Sequence, residues 1–426
     1  MSTDIQGGEP APAIAAADGR SARFVTHSPP SPGISGDRIR VYNLVRALKD
    51  RGWTVRVWSL LGPDEPAGST DALRAIADEL VLVPLDVTAR RRRLRLIRDA
   101  VARRPLQSHW FWSKATAHEA ARWLADADED ALFVEQLYML PFVPARLWRQ
   151  SALDTQNHEA ARMRTIASSG GGLGRRAVAR SQIGPVTTYE RAAVRSVGRV
   201  LAVSEDEFDA FERMSPGQVR LVANGVDAEA IVPVTGPPAS RELLFLGSLG
   251  YGANVDAVRH FVIDVAPLLQ RSGAALTVVG SNPSPSVYRD ASRAPLPVTV
   301  TGYAPDLGPH YSGSRAMIVP LRHGGGTRLK ILEALAWGLP VVTTSLGGAG
   351  LGLVDGRHAL IADDPRAFAS AVERLLDDDA LWLALSRAGR AFVEEHFDWQ
   401  RIGTTFEAVM LELAVAARPT RRLASP

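Results

Sequence analysis

Residues 319–344 read Val319-Pro-Leu-Arg-His-Gly-Gly-Gly-Thr-Arg-Leu-Lys-Ile-Leu-Glu-Ala-Leu-Ala-Trp-Gly-Leu-Pro-Val-Val-Thr-Thr344, a pattern of strand, glycine loop, helix and strand. The run Ala316–Val319 is short and apolar enough for a buried parallel strand, and Gly324, Gly325 and Gly326 let the backbone turn tightly behind it. The spacing predicts a helix from Thr327. Leu329, Leu332, Leu335 and Ala336 recur every three to four residues, and Gly338 with Pro340 stops the helix before a strand over 341–344. The loop therefore opens onto a helix N-terminus.

Such an end presents unpaired N–H groups and roughly half a positive charge, so it suits an anion. Arg328 and Lys330 add two full charges, which a diphosphate would match. Glu333 stands seven residues after Gly326, close to two helical turns, so its carboxylate shares the loop's face. A carboxylate repels phosphate, and its natural partner there is a pair of hydroxyls on a ribose or sugar. The same residues also suit an ordinary solvated helix, with Lys330 and Glu333 as an i, i+3 pair worth about 0.2–0.5 kcal/mol. Spacing alone leaves both readings open, because glycine-rich strand-to-helix turns occur in many folds.

The remainder of the chain repeats the alternation. At 426 residues and 46% hydrophobic content it has material for two cores, so two domains are expected. The net charge of +3 favours anionic ligands or surfaces without demanding nucleic acid. With no cysteine, disulfides, Cys-ligated zinc and thiol chemistry are excluded, and a cytoplasmic setting is compatible. Residues 1–20 read as a disordered tail without signal-peptide character, and no apolar run approaches the roughly 20 residues of a membrane span. A strand is expected over 23–27, a Pro/Gly loop holding Gly33, Ser35 and Gly36, a helix from Asp37, and a strand over 53–60. Further strands are expected at 131–134, 199–203, 243–246, 275–279 and 298–301. Expected boundaries are a first domain over 21–227, a linker over 228–240 with three prolines, a second domain over 241–390, and a returning helix with a frayed tail over 391–426. Residues 90–104, from Arg90 to Arg104, hold eight arginines and one aspartate with Leu94, Ile97 and Val101 on one face. That stretch serves either as a solvated face or as a peripheral contact with anionic lipid at the inner membrane face.

The segment Gly-Gly-Gly-Thr-Arg-Leu-Lys-Ile-Leu-Glu-Ala-Leu-Ala-x-Gly-x-Pro-Val-Val-Thr-Thr resembles the nucleotide-sugar site of family-four retaining glycosyltransferases of the GT-B fold, in the branch with a GGGTRLK loop. The resemblance implies an α/β architecture of two Rossmann-like domains facing a cleft, with the C-terminal helix crossing back to the first. It implies a glycosyltransferase that moves a sugar from a nucleotide diphosphate sugar to a glycan, lipid-linked or small-molecule acceptor, with retention and with neither a metal nor another cofactor.

In that resemblance Glu333 contacts the donor's ribose, and Gly325 stands where a first glutamate is usual. Gly324, Gly326, Thr327, Arg328 and Lys330 hold the diphosphate. Ser248, Gly250 and Asn254 form a second loop, and Gly302 and Tyr303 adjoin the base. The loop at Gly33, Ser35 and Gly36 faces the cleft, as does Glu135 at a strand end. Gln156 occupies the place of a usual histidine, with His158 two residues later and Asp154 two before it, and each of these two also suits a structural role. Ala349 replaces a frequent glutamate. Competing readings are a sugar-nucleotide epimerase and a non-catalytic scaffold of the same fold. A nicotinamide dehydrogenase lacks its Gly-x-Gly-x-x-Gly fingerprint.

Overall fold

The computed structural model describes residues 20–33, 35–85, 105–106, 111–128, 130–169, 172–324 and 328–417. The tail before Arg20, the stretch 90–104, Gly325, Gly326, Thr327 and the last nine residues lie outside these. In the first lobe seven parallel strands lie in the order β3-β2-β1-β4-β5-β6-β7. They are β1 (Ser21–Thr26), β2 (Thr54–Leu61), β3 (Glu79–Pro84), β4 (Ala131–Glu135), β5 (Ser151–Asp154), β6 (Arg199–Ala202) and β7 (Val219–Leu221). Helices α1 (Gly36–Lys49), α2 (Asp71–Ile76), α3 (Lys114–Trp123), α4 (Glu159–Ser169), α5 (Leu173–Ser196) and α6 (Glu205–Glu212) connect them. Strand β4 is buried at every residue, as a central parallel strand covered on both faces must be.

The second lobe is a six-stranded parallel sheet in the order β10-β9-β8-β11-β12-β13. Its strands are β8 (Glu242–Leu246), β9 (Ala275–Val279), β10 (Val298–Gly302), β11 (Ala316–Val319), β12 (Val341–Thr343) and β13 (Leu360–Ile361). Its helices are α7 (Gly252–His260), α8 (Pro285–Ala291), α9 (Gly308–Gly313), α10 (Leu329–Ala336), α11 (Pro365–Asp377) and α12 (Asp379–His396), followed by α13 (Trp399–Ala417). In both sheets the strand order reverses beside the first strand, and such a switch point leaves a crevice at the carboxyl ends of the strands.

Local differences from expectation have local causes. Helix α10 begins at Leu329, with Arg328 as N-cap at φ −86° and ψ 65°, so the helical turn starts later than Thr327. The helix that opens at Gly252 changes character after His260, passing through a π turn at Phe261–Val265 and a 3-10 turn at Ala266–Leu269. Pro267 supplies no N–H, which breaks the regular ladder there. The glycine-rich stretch 168–174 overlaps the end of α4 and the start of α5, which pack against each other as a hairpin, and its Gly170 and Gly171 lie outside the described residues.

Residues 228–240 contain neither strand nor helix and run along the second lobe, where Val234 N–H donates to Trp337 O and Arg390 donates to Ala228 O and Ile231 O. The helix that a boundary at 391 would cut continues to His396. The chain crosses over at Asp398, which bridges Val226. Helix α13 then completes the first lobe's core. Phe406 sits 6.3 Å from Phe24 and 5.8 Å from Phe133 between ring centroids, and Glu407 accepts hydrogen bonds from Trp53 Nε1 and Arg20 Nη1, both at 3.0 Å. Among the described residues no helix is long and apolar enough to cross a membrane.

Phe406 is fully buried. Phe406→Ala should lower the unfolding free energy of the first lobe by about 3–5 kcal/mol, read by urea denaturation. A loss below about 1 kcal/mol would mean that α13 is not part of that core.

Candidate functional site

Between the lobes lies a cavity of about 780 Å³ whose walls come from the β1–α1 loop and α1 on one side and from the ends of β8 and β9, the loop after β10 and α10 on the other. Gly33, Ser35, Gly36, Ser248, Tyr303, Lys330 and Glu333 all line it. Lys330 is the best-held of these. Its Nζ donates to Asn254 Oδ1 at 3.1 Å and lies 4.7 Å from the centroid of the Phe245 ring, while Asn254 Nδ2 donates to Ser248 O at 2.9 Å. The head of the lysine fills space that a side chain at Gly247 would need. A Cβ there would fall 2.7 Å from Nζ, and the φ of 153° is itself a glycine conformation. Burial, reinforced by Arg328 and opposed by Glu333, lowers the Lys330 ammonium to about 7.

Glu333 is oriented by Tyr311, whose hydroxyl donates to Oε2 at 2.8 Å and whose ring stacks on Trp337 at 5.8 Å. Burial raises this carboxylate above its ordinary range, although Tyr311 and Lys330 pull the other way. Arg328 takes a different course from its neighbours. It is 8% exposed, lines neither cavity, and returns its Nη2 to Gly324 O at 3.1 Å.

A second cavity of about 470 Å³ lies in the first lobe and shares Gly36 and Leu329 with the first. His27, Asp37, Phe111, Tyr138 and Arg162 stand in its wall. His27 lies between two carboxylates, with Nδ1 2.9 Å from Glu135 Oε2 and Nε2 3.4 Å from Asp37 Oδ2. Burial by itself would lower the imidazole, but the charges of Glu135 and Asp37 outweigh it and lift His27 to about 10. Asp37 is held down to about 2: burial opposes ionisation, and the bonds and charge from His27, Ser35 and Arg38 overcome it. Burial pushes Glu135 up despite its histidine partner. The result is a histidinium that presents one ionised carboxylate to the cavity.

Gln136 and Gln156, at the ends of β4 and β5, also line this cavity and adopt positive φ values of 62° and 49°. Left-handed non-glycine residues are uncommon and cluster at functional sites.

Several residues expected at the site lie behind it. Asp154 is completely buried and taken up by Arg40, which reaches it at 2.8 Å and also holds Ala223 O and Asn224 Oδ1. Glu135 is 1% exposed and acts through His27. His158 lines neither cavity. Its Nε2 lies 3.2 Å from Glu190 Oε2 and its ring packs on Phe211 at 5.4 Å, which turns it into the α5–α6 side of the lobe. Gly250 and Gly302 shape their turns without lining the cavity. Sequence reasoning missed His27, Asp37, Tyr311 and Gly247. His27 could have been found, since it follows β1 directly, where open parallel sheets place ligand-facing residues. Tyr311 carries no motif.

Two family descriptions match the chain, "Glycosyltransferase Family 4" over residues 34–230 and "Glycosyl transferases group 1" over residues 240–378. The glycogen synthase of Mycobacterium tuberculosis is 31% identical over 216 residues, 47% of this chain and 50% of that protein. The chain thus spans about half the length of the curated relatives it matches. Among solved structures, sucrose-phosphate synthase from Thermosynechococcus elongatus aligns with a TM-score of 0.67 at 18% identity, over 93% of this chain and 100% of that one. Anabaena HepE, solved in complex with UDP and glucose, aligns with a TM-score of 0.61 at 14% identity, over 92% of this chain and 99% of that one. At such identities the structural likeness speaks to the fold, which is GT-B. The chain belongs to the family-four glycosyltransferases of that fold.

The His27 cluster has a pH signature. Because the folded value of about 10 lies above the unfolded one of 6.5, its stabilisation is present in full below pH 6.5 and disappears as pH rises to about 10. Urea denaturation of the wild type should show this loss across that window, and His27→Gln should remove it. An identical pH slope in both proteins would exclude a charged His27.

Proposed function

We propose that this protein transfers a sugar from a nucleotide diphosphate sugar, held chiefly by the second lobe, to a hydroxyl of an acceptor in the first-lobe cavity. The observation that carries this is the position of Lys330 and Glu333. They rise from one helix into a cavity that meets a second, differently lined cavity at Gly36 and Leu329. Lys330 neutralises the diphosphate, with Arg328 beside it bonded to Gly324 O, and Glu333 accepts hydrogen bonds from donor hydroxyls. Charge grows on the leaving diphosphate as the bond from sugar C1 to phosphate oxygen breaks, and a fixed cation there lowers the barrier. The acceptor oxygen forms the new bond to C1 while its proton passes to the departing phosphate oxygen. Retention of configuration and independence of a metal are what family membership implies. HepE's complex with UDP and glucose supports the choice of donor class.

The decisive experiment incubates the protein with UDP-, GDP- and ADP-sugars and follows thermal stabilisation and nucleotide diphosphate release. A ligand at 100 times its dissociation constant adds about 2.7 kcal/mol. Stabilisation by one donor together with its turnover supports the proposal. Stabilisation without turnover toward any acceptor would favour the scaffold reading, and interconversion of the sugar without transfer would favour the epimerase.

Lys330→Ala should lower kcat about 10²–10³-fold, the cost of a lost oxyanion donor, and Glu333→Gln should impair donor binding or turnover. Steady-state kinetics of both variants at wild-type levels would remove the donor assignment. Since free Lys330 titrates near 7 and the diphosphate binds its charged form, the Kd for the nucleotide diphosphate sugar, whose esterified phosphates stay ionised throughout, should stay flat below pH 7. Above it, Kd should rise about tenfold per unit, with proton uptake visible in calorimetry. A flat profile up to pH 9 would place Lys330 outside the contact.

A further inference from the structure

The α4–α5 hairpin leaves the first lobe at the wall of the smaller cavity, where Glu159 and Arg162 stand. Its root has a small core of Ala160, Met163 and Val186 flanked by Ile166 and Ile183. Toward the tip the character changes. Leu173 is 85% exposed and Val178 53% exposed. Around them Arg164, Arg175, Arg176 and Arg180 are all exposed, and none enters an ion pair among the described residues. Residues 160–189 contain five arginines and neither aspartate nor glutamate. Arg162 is neutralised by Glu159 at 3.1 Å, so four positive charges stand unbalanced near the tip. Leu173, Arg176 and Arg180 are spaced i, i+3, i+7 and therefore share one flank of α5.

Two kinds of surface attract such a cluster. Nucleic-acid readers combine basic residues with aromatic rings on which bases stack, and residues 160–188 contain no Phe, Tyr or Trp. Leu173, exposed on the same flank as Arg176 and Arg180, matches the boundary between anionic headgroups and acyl chains. The placement fits as well. Helix α4 spans 11 residues, so the tip stands about 16 Å from the cavity wall. Leu106, two residues beyond Arg104, donates its N–H to Gln182 of α5 at 2.8 Å, which fastens the chain after the arginine-rich stretch to this same helix.

We propose that the tip of the α4–α5 hairpin is a docking surface for an anionic phospholipid bilayer, holding the acceptor cavity within reach of a headgroup-linked acceptor. The docking itself does not depend on the glycosyl-transfer reading.

The test is co-sedimentation of the full chain with vesicles of phosphatidylcholine alone or mixed with phosphatidylglycerol. The wild type should bind the anionic vesicles, release as salt is raised, and ignore phosphatidylcholine. Arg176→Ala with Arg180→Ala should lower the partition coefficient about 30-fold, and Leu173→Asp should weaken binding with the melting temperature unchanged. Four outcomes would overturn the proposal. These are no binding by the wild type, undiminished binding by both variants, tighter binding to single-stranded DNA than to anionic vesicles, and binding lost only when Arg91, Arg92 and Arg93 are replaced.

Discussion

The two lobes approach most consequentially at Gly36 and Leu329. A Cβ on residue 36 would meet Leu329 Cδ1 at 3.0 Å, so the first helix of one lobe and the loop-following helix of the other come together because glycine leaves room. Both cavities are bounded by this pair. The contact fixes the spacing between a pocket lined by Lys330 and Glu333 and one lined by His27, Asp37 and Tyr138. The interval between the two cavities is therefore set by a side chain that is missing, and α13 returns into the first lobe's core.

The charges around the cleft are arranged in two ways. Some are paired with each other: Arg40, in the wall of the smaller cavity, forms a buried ion pair with Asp154 and also donates to Ala223 O and Asn224 Oδ1. Such a pair adds little net stability, but breaking it is costly, so it sets the geometry of the strand ends. Others that face the cavities are poised instead. Lys330 is desolvated until its proton is weakly held, and Asp37 is kept ionised by a histidinium that is itself fixed by Glu135. Groups whose protonation is shifted by burial and neighbouring charge cluster at functional sites.

Much of this could be read along the chain. The run of β11, glycine loop, α10 and β12 follows from apolar spacing and the stop at Gly338 and Pro340, and the alternation of strands and helices elsewhere gave the two parallel sheets. The shared helix face of Glu333 and Lys330, which both line the larger cavity, was legible because they sit at fixed offsets from the glycines. Asp154 and His158 stayed open between a site role and a structural one because a polar residue at a strand end looks the same whether it faces a cavity or a buried partner. Arg40 lies 114 positions before Asp154 and Glu190 lies 32 after His158. Neither pairing leaves a local mark.

The sequence by itself determined what periodicity and backbone chemistry encode: two doubly wound sheets and the glycine-opened helix end. These depend on neighbours a few residues apart. Tertiary structure alone decided which polar groups face solvent and what protonation each one holds. Lys330 has its lowered proton affinity because Phe245, Gly247 and Asn254 surround it, and His27 has its raised one because Glu135 and Asp37 flank it. Burial and long-range charge depend on the packing of distant segments, and no short window of sequence contains them.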